Sequence, residues 1–247
     1  MKKILHSIEK IFGVYRWHPT IALRYLPFVK IINEAKLQDH DILEVGSGGL
    51  GIAPYIKRQV VGVDVDFSPP LYSQLIGVKA SGADIPFVDN SFPVVISTDM
   101  LEHLSSPDRV TAISEMLRVG RELILIGVPS GKMAQAQDAR LAQIYTRQMK
   151  KEFAFFEEHA QFGLPEKDWL FVTIRREAHK LNKRVTIENF GTLNLKIRAL
   201  LMRGWISDNL FINFIFRKVF LILIPLLELL NNPPCYRQHF VIRILHD

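Results

Sequence analysis

The stretch ILEVGSGGLG, residues 42–51, joins a short apolar run to a cluster of glycines. The apolar residues are typical of a buried strand, and glycines spaced as G-x-G-x-x-G from Gly46 to Gly51 allow the backbone to approach a ligand closely. The stretch therefore predicts a strand, a tight turn and the start of a helix, with a ligand seated at the turn. Dinucleotide-binding proteins use the same spacing, so the glycines alone leave the ligand open.

Two acidic residues narrow the kind of ligand. Glu44 stands two residues before the first glycine, where a carboxylate would repel a pyrophosphate and attract a ligand that carries an ammonium and a sulfonium group. Asp64 closes the next apolar run, VVGVD at 60–64, and a carboxylate at that strand end can accept hydrogen bonds from both hydroxyls of a ribose. The pair favours a cationic ligand that contains adenosine, and the alternative for each acid is a solvated strand end.

Apolar runs alternate with helical segments around this stretch. The helix that precedes Gly120 has Ser106 as its expected cap, Pro107 in its first turn and one apolar face. Such alternation predicts a parallel sheet covered by helices on both faces, with ligands at the carboxyl ends of the strands. After the first strand within 40–46, the expected strands are 60–64, 77–81, 93–99 and 121–129.

The C-terminal half departs from that alternation. Residues 184–190 and 236–245 have the branched and aromatic content of strands, and we expect them to pair as an antiparallel hairpin at the edge of the sheet. The segment 192–233 between them is far longer than a hairpin loop needs, so it is predicted to be a helical insertion. Its apolar runs are shorter than the roughly 20 residues that span a bilayer, and Pro225 interrupts the second run.

The composition limits the number of domains, the class of partner and the cellular compartment that can be expected. The 247 residues suit one domain with additions, and 48% hydrophobic against 23% charged residues are enough for a sizeable core. The net charge of +6 raises the chance of an anionic partner, but no basic run interleaved with aromatic residues favours nucleic acid. A single cysteine, Cys235, excludes an intramolecular disulfide and suits a reducing cytoplasm. The first forty residues look helical, and Pro19 and Pro27 are expected to break them into pieces.

Four linked motifs resemble those of class I S-adenosylmethionine-dependent methyltransferases, and they cover roughly residues 40–130. They are ILEVGSGGLG, VVGVDVD, GADIPFVDNSFPVVISTDMLEHL and MLRVGRELILIGVP, in that order. The resemblance implies an α/β fold with a doubly wound, mostly parallel, seven-stranded Rossmann-like sheet, an antiparallel last strand and helical insertions. It also implies a methyltransferase whose cofactor is S-adenosyl-L-methionine.

The resemblance implies roles for individual residues as well. Glu44 and the glycine loop would hold the amino-acid end of the cofactor, Asp64 would bind the ribose, and the segment before the IPF triplet would grip the adenine. Leu50 stands where a third glycine is usual, and Ser81 stands where the adenine-binding acid is usual, so Asp84 or the backbone of 82–83 is expected to take its place. The cofactor-binding residues predicted in this way are Glu44, Gly46, Ser47, Gly48, Asp64, Asp84, Ile85 and Asp99.

The segment DMLEHL, residues 99–104, carries the candidate chemistry. It resembles the E-x-x-E-H segment of ubiquinone-biosynthesis O-methyltransferases and small-RNA ribose methyltransferases. A hydroxyl nucleophile needs a base or a metal, so two catalytic roles stay open. Either His103 is a catalytic base without a metal, or Asp99, Glu102 and His103 bind a divalent cation such as Mg²⁺. The remaining alternative is a histidine with a structural role.

The expected organisation places additions around one domain. An N-terminal helical cap at 1–38 precedes a methyltransferase domain at 39–247, in which 130–165 and 192–233 are helical insertions on the substrate side. The pair Glu158-His159 in the first insertion either reaches the site or is a solvated pair at a helix end.

The predicted function is methyl transfer to a hydroxyl or similar group of a small or lipid-like acceptor. The alternatives are an inactive methyltransferase-like binding protein and, less favoured, a dinucleotide-dependent oxidoreductase. The sequence also allows a peripheral membrane contact through 205–230 and a homodimer, whereas it disfavours nucleic acid. The expected location is the cytoplasm, with the inner face of the membrane as the alternative.

Overall fold

The computed structural model describes residues 19–69, 71–207, 209–216 and 223–246. Residues 1–18 of the predicted N-terminal cap lie outside the described residues. The strands are β1 (Ile42–Val45), β2 (Val60–Asp64), β3 (Leu75–Lys79), β4 (Phe92–Thr98), β5 (Gly120–Pro129), β6 (Arg184–Asn194) and β7 (Cys235–Leu245). The helices are α1 (Pro19–Glu34), α2 (Ala53–Ile56), α3 (Ser106–Val119), α4 (Lys132–Met149), α5 (Ala154–Phe162), α6 (Lys167–Lys180), α7 (Leu195–Ile206), α8 (Leu210–Phe214) and α9 (Ile224–Leu229), and a 3₁₀ turn (Leu101–His103) follows β4.

The strands join one seven-stranded sheet in the order β3-β2-β1-β4-β5-β7-β6. Neighbours from β3 to β5 are parallel, and β7 runs antiparallel to both β5 and β6. The strand order reverses between β1 and β4, and the crevice at the carboxyl ends of these two strands is where such sheets bind ligands. The predicted doubly wound sheet with an antiparallel last strand is confirmed.

Both faces of the sheet are buried, because successive residues of a strand point to opposite sides. Ile42 of β1 lies in one apolar cluster with Phe28 of α1. Leu43, the next residue, lies in a second cluster with Met116 of α3 and Ile174 of α6. Strand β4 is buried along its whole length. This double burial explains why the central strands read as continuous apolar runs and not as alternating ones.

Helix α3 positions the end of β4, and its start differs by one residue from the sequence prediction. Ser105, not Ser106, is the N-cap, and its hydroxyl accepts a hydrogen bond from the backbone N–H of Asp108 at 3.4 Å. Pro107 lies in the first turn, where its missing N–H costs no intrahelical bond. Gly120 ends the helix in an extended conformation and begins β5.

Two further expectations about local structure were wrong. Pro19 begins α1, and Pro27 lies inside that helix and does not end it, since packing of the helix on the sheet compensates for one lost hydrogen bond. The third strand is Leu75–Lys79, two residues earlier than expected.

Beyond β6, the described part of the 192–233 segment contains the helices α7, α8 and α9. Among the described residues, no helix is both long and apolar enough to cross a membrane.

Candidate functional site

A cavity of about 650 Å³ opens at the carboxyl ends of the parallel strands. The turn after β1 contributes Gly46 and Gly48, and the end of β2 contributes Asp64. Asp99 and His103 follow β4 and border the same cavity. We call this space the cofactor cavity, because it lies where a doubly wound sheet binds its ligand.

The glycine turn has a backbone that other residues rarely adopt. Gly46 has a φ of 79°, and a Cβ there would collide with the side chain of Met100. Gly48 has a φ of 53°, and a Cβ there would meet nothing within 4 Å. The first glycine is therefore needed for packing, and the second leaves open space in which a ligand can approach the backbone.

Glu44 lies beneath this turn and does not border the cofactor cavity. Its Oε2 accepts a hydrogen bond from the N–H of Ile52 at 2.6 Å, and its Oε1 accepts one from the hydroxyl of Tyr25 at 2.8 Å. Burial raises the pKa of Glu44 to about 7, although both hydrogen bonds lower it. The position of Glu44 thus differs from the predicted direct contact with a cationic ligand, because its carboxyl is used to close the turn.

Asp64 links the turn to the end of β2 and also faces the cavity. Its Oδ2 accepts from the N–H of Gly48 at 2.7 Å, and its Oδ1 accepts from the N–H of Asp66 at 3.1 Å. Each carboxylate oxygen has a second lone pair, so both remain able to accept from a ligand. Ser47 borders the cavity as well, and its hydroxyl donates to the carbonyl of Gly48 at 3.1 Å.

Of the residues predicted to grip the adenine, Gly82 borders the cofactor cavity, whereas Asp84 and Ile85 do not. Asp84 is exposed and does not border the cofactor cavity. Ile85 is a core residue whose N–H donates to Oε2 of Glu115 at 2.9 Å. Ser81 and Gly82 border the cavity in their place. The predicted contacts of Asp84 and Ile85 with the cofactor do not fit this arrangement, since the chain turns away from the cavity after Gly82.

Asp99 is held between two arginines at the end of β4. Nε and Nη2 of Arg237 donate to its two carboxylate oxygens at 2.6 and 2.5 Å, and Nη2 of Arg24 lies 2.8 Å from Oδ2. Burial opposes ionisation of Asp99, but the two guanidinium groups outweigh it and hold the pKa of Asp99 well below its usual range. Asp99 borders the cavity, yet its charge is already compensated within the protein.

A second cavity of about 350 Å³ adjoins the first. It shares Arg24, Asp99, His103 and Phe155 with the cofactor cavity, so the two spaces meet at the end of β4. The additional wall residues are mainly apolar, and they come from α1, from the start of α5 and from α7: Ile21, Phe153, Phe156, Met202 and Trp205. We call this space the acceptor cavity.

Arg109 of α3 fixes the elements that separate the two cavities. Its Nε donates to the carbonyl of Leu101 at 2.8 Å, and its Nη2 donates to the carbonyls of Phe162 and Gly163 at 3.2 and 2.6 Å. One buried guanidinium thereby ties the 3₁₀ turn to the end of α5. These contacts hold His103, which lies on that turn, close to the residues of α5.

His103, His159 and Glu102 cluster at the boundary of the two cavities, and Glu158 contacts His103. Nδ1 of His103 lies 2.5 Å from Oε2 of Glu158, and burial together with His159 lowers the pKa of His103 although Glu158 raises it. Glu102 is buried, and its Oε2 has no hydrogen-bond partner among the described residues. Burial and the charge of Asp99 raise the pKa of Glu102 well above its usual value.

Comparison with known proteins shows what this chain is similar to. Residues 43–123 match the family model described as a methyltransferase domain. Probable S-adenosylmethionine-dependent methyltransferases from two strains of Mycobacterium tuberculosis are 27% identical over 149 residues, covering 56% of this chain and 51% of the relative. Over this region the chain resembles S-adenosylmethionine-dependent methyltransferases. It spans about half the length of these curated relatives.

Solved structures resemble this chain in fold, and the first of the following two reaches a TM-score above 0.5. The methyltransferase domain of bacterial CtHen1-C superposes with a TM-score of 0.51 at 11% identity, over 91% of this chain and 98% of that domain. A S-adenosylmethionine-dependent methyltransferase of Thermotoga maritima has a TM-score of 0.49 at 12% identity, over 98% of this chain and 96% of that one. At these identities the likeness concerns the fold.

The cofactor cavity has features that suit S-adenosylmethionine, which the name of the curated relatives gives as their cofactor. The open space at Gly48 admits a ligand against the backbone, and Asp64 offers acceptors for ribose hydroxyls. Nε of Arg24 is buried and has no hydrogen-bond partner among the described residues, and this side chain borders both cavities. Arg24 would therefore suit the carboxylate of the cofactor, a role that the sequence did not indicate.

The predicted metal ligands are not brought together as expected. Both oxygens of Asp99 bind guanidinium groups, so Asp99 is unsuited to the predicted metal set. One ligand atom each from Glu102, His103 and His159 lie within 4.8 Å of one another. Two imidazoles with one carboxylate suit a first-row transition metal better than Mg²⁺, which prefers oxygen ligands. The donor set of this site therefore does not fit the predicted Mg²⁺.

Several residues of the site could not be found from the sequence. Arg24, Arg198 and Arg237 reach the acceptor cavity from α1, α7 and β7, which lie far apart along the chain. Nothing in their local pattern distinguishes them from arginines that solvate a surface. The aromatic run FAFFEEH at 153–159 was a usable signal, because it places several rings beside two acids and a histidine.

Proposed function

We propose that this methyltransferase transfers a methyl group from S-adenosylmethionine to a hydroxyl or similar group of a small, largely apolar or lipid-like acceptor. One observation carries the proposal: the cofactor cavity and the acceptor cavity meet at His103. A methyl group on a ligand in the first cavity would face a nucleophile in the second at this boundary. Positioning of this kind supplies much of the catalysis in methyl transfer, because the cofactor is already activated.

His103 is proposed as the base that takes the proton of the acceptor. The carboxylate of Glu158 lies against Nδ1 of His103, which leaves Nε2 to face the nucleophile. Burial and the neighbouring His159 lower the pKa of His103, so its ring is neutral and able to accept a proton near neutral pH. Bound cofactor supplies the electrophilic methyl group. No step of this proposal uses a metal ion.

The acceptor class follows from the walls of the second cavity. Aromatic side chains of Phe153, Phe156 and Trp205 favour an apolar body and exclude water from the boundary. Two arginines in the same wall are paired with acids: Arg237 pairs with Asp99, and Arg198 pairs with Asp138, which lies behind the wall. The acceptor is therefore not required to carry a large charge.

We also propose a peripheral contact with a membrane through 205–230. Phe211 on α8 and Leu229 on α9 are 71% and 78% exposed, and Phe214 and Leu226 are also exposed. Several exposed apolar side chains on one segment of the chain can mark an interaction surface. With a net charge of +6, an anionic bilayer is the favoured surface, and a homodimer through the same residues is the alternative.

Calorimetric titration and label transfer test the proposed function together. The protein is titrated with S-adenosylmethionine, S-adenosylhomocysteine and NAD, and then incubated with methyl-labelled cofactor and a cell extract whose labelled product is identified by mass. Binding of the first two ligands and a labelled acceptor are expected. Binding without label transfer would favour the inactive binding protein, and binding of NAD alone would favour the oxidoreductase.

A further inference from the structure

His159, on α5, borders the acceptor cavity but not the cofactor cavity. Its side chain is only 7% exposed, and its Nδ1 lies 2.8 Å from Oδ2 of Asp138. Its Nε2 is buried, lies 4.0 Å from Oε1 of Glu102, which is beyond hydrogen-bond distance, and has no hydrogen-bond partner within the described part of the chain. Buried polar atoms of native proteins are nearly always paired, so an unpaired one at a cavity wall indicates a place where a ligand supplies the partner.

Asp138 determines which nitrogen of His159 carries the proton. Asp138, on α4, also accepts from Nη2 of Arg198 at 2.5 Å and from the hydroxyl of Tyr236 at 3.0 Å. A carboxylate paired with a guanidinium can only accept hydrogen bonds, so Nδ1 of His159 must be the donor. In the neutral ring, Nε2 then carries no proton and acts as an acceptor.

The partners of Asp138 make this orientation rigid. Arg198 comes from α7 and Tyr236 from β7, and the guanidinium of Arg198 stacks on the ring of Tyr236 at 3.4 Å from its centroid. Each of these side chains is buried. Contacts among α4, α7 and β7 thus hold Asp138, which in turn holds His159. Attachment of α5 to α4 alone would not require all of these contacts.

We propose that Nε2 of His159 accepts a hydrogen bond from a second polar group of the methyl acceptor, an O–H or N–H other than the one that is methylated. This inference rests on the proposed function. His103 borders both cavities and therefore meets the group that receives the methyl, whereas His159 borders the acceptor cavity alone. One ring nitrogen of each histidine and an oxygen of Glu102 lie within 4.8 Å, so the two acceptor groups must be close neighbours.

The acceptor class becomes more specific as a result. It is a largely apolar molecule that carries two hydrogen-bonding groups side by side, of which the one at His159 is a donor. A site of this kind rejects an analogue that lacks the donor, because the buried nitrogen is then left unpaired. The Asp138–His159 pair is therefore a specificity determinant, and Asp138 acts as a positioning residue.

The tautomer of His159 is measurable without an acceptor. Full-length protein labelled with ¹⁵N-histidine is studied by NMR, and the resonances of His159 are assigned by their loss in His159→Phe. The expected result at neutral pH is a ring protonated at Nδ1 and not at Nε2, with a changed tautomer balance in Asp138→Asn. A ring protonated at Nε2 in the wild type would overturn the inference.

Kinetics with the labelled acceptor fraction test the role in recognition. His159→Phe removes both nitrogens but keeps a ring of similar size, and His179→Phe makes the same change at an exposed position on α6. We expect His159→Phe to raise the apparent KM for the fraction at least about tenfold with kcat within about threefold, because a buried hydrogen bond is lost from the bound state. His179→Phe should match the wild type.

Three results would overturn the inference alone: wild-type turnover with an unchanged KM in His159→Phe, a fall confined to kcat, or wild-type turnover abolished by EDTA. The second would place His159 in the methyl-transfer step, and the third would place a cation at Nε2. A wild type that binds no S-adenosylmethionine or transfers no label would instead contradict the proposed function, and the inference with it.

Discussion

Asp99 and Arg237 form a two-point ion pair although 138 residues separate them in the chain. The pair joins the end of β4 to β7 at the boundary of the two cavities. Arg237 is only 4% exposed, and Arg24 adds a third charge from α1. The first helix, the middle of the sheet and its last strand are therefore held together by one carboxylate.

Asp99→Asn should destabilise the protein strongly. The change leaves two guanidinium groups without their counter-charge, and loss of one partner of a buried pair costs about 3–5 kcal/mol. Urea unfolding at neutral pH measures the loss, and Asp84→Asn is the control because Asp84 is exposed. Since the pKa of Asp99 is held below its usual range in the fold, this stability is present at neutral pH and is lost in acid. Equal stability of the two variants would contradict the role of the pair.

The stability contribution of Glu44 should fall as the pH rises. Its pKa in the fold is about 7 against an ordinary value of 4.5, so the folded state holds the proton over a range in which the unfolded state has lost it. Relative to Glu44→Gln, which does not titrate, the wild type should lose about 3 kcal/mol of unfolding free energy between pH 4 and pH 8. Urea unfolding of both proteins across that range is the measurement. A difference that does not change with pH would show that Glu44 is ionised in the fold.

Asp64→Ala should weaken the binding of S-adenosylmethionine. Ribose hydroxyls would lose their acceptors and the N–H of Gly48 would lose its partner, which together correspond to about 1–3 kcal/mol. Isothermal titration measures the change. Asp84→Ala is the matched control, since Asp84 does not border the cofactor cavity and should bind as the wild type does. Unchanged affinity in a folded Asp64→Ala protein would remove Asp64 from the cofactor site.

His103→Phe should lower turnover without changing cofactor affinity. Loss of a general base typically reduces the rate by about 10²–10⁴-fold. Glu158→Gln should have a smaller effect, because Glu158 only orients the ring of His103 and raises its pKa. Label transfer to the isolated acceptor and calorimetry with S-adenosylmethionine separate the two properties. Full turnover in His103→Phe would show that His103 has a structural role. Wild-type turnover that survives EDTA would exclude the metal alternative.

Membrane contact through 205–230 should depend on the exposed apolar residues of α8 and α9. Co-sedimentation with anionic liposomes is expected for the wild type at low salt and should be reduced in the double variant Phe211→Ser, Leu229→Ser. Val172→Ser is the control, because Val172 is 64% exposed but lies on α6. Wild-type protein that stays in the supernatant at both low and high salt would reject the contact and leave the dimer as the alternative.

Much of the fold could be predicted because its signals are local. The glycine spacing requires a turn that only glycine tolerates at Gly46, and apolar runs between punctuated helices imply a sheet covered on both faces. Most errors concerned the ends of elements, such as the cap at Ser105, and one concerned Pro27, which lies inside α1 and does not break it. The sequence also did not predict where the carboxyl of Glu44 points. Its hydrogen-bond partners Tyr25 and Ile52 determine this, and both lie outside β1.

By itself the sequence determined the doubly wound sheet, the glycine turn and the places of Asp64 and His103 at strand ends, since these follow from residue type and short-range spacing. Only the tertiary structure decided the acceptor site. Arg24, Asp138, Arg198 and Arg237 come from four separate elements. Which of their charges pair, and which buried atom of His159 is left free to meet a ligand, depends on long-range distances that no local pattern encodes.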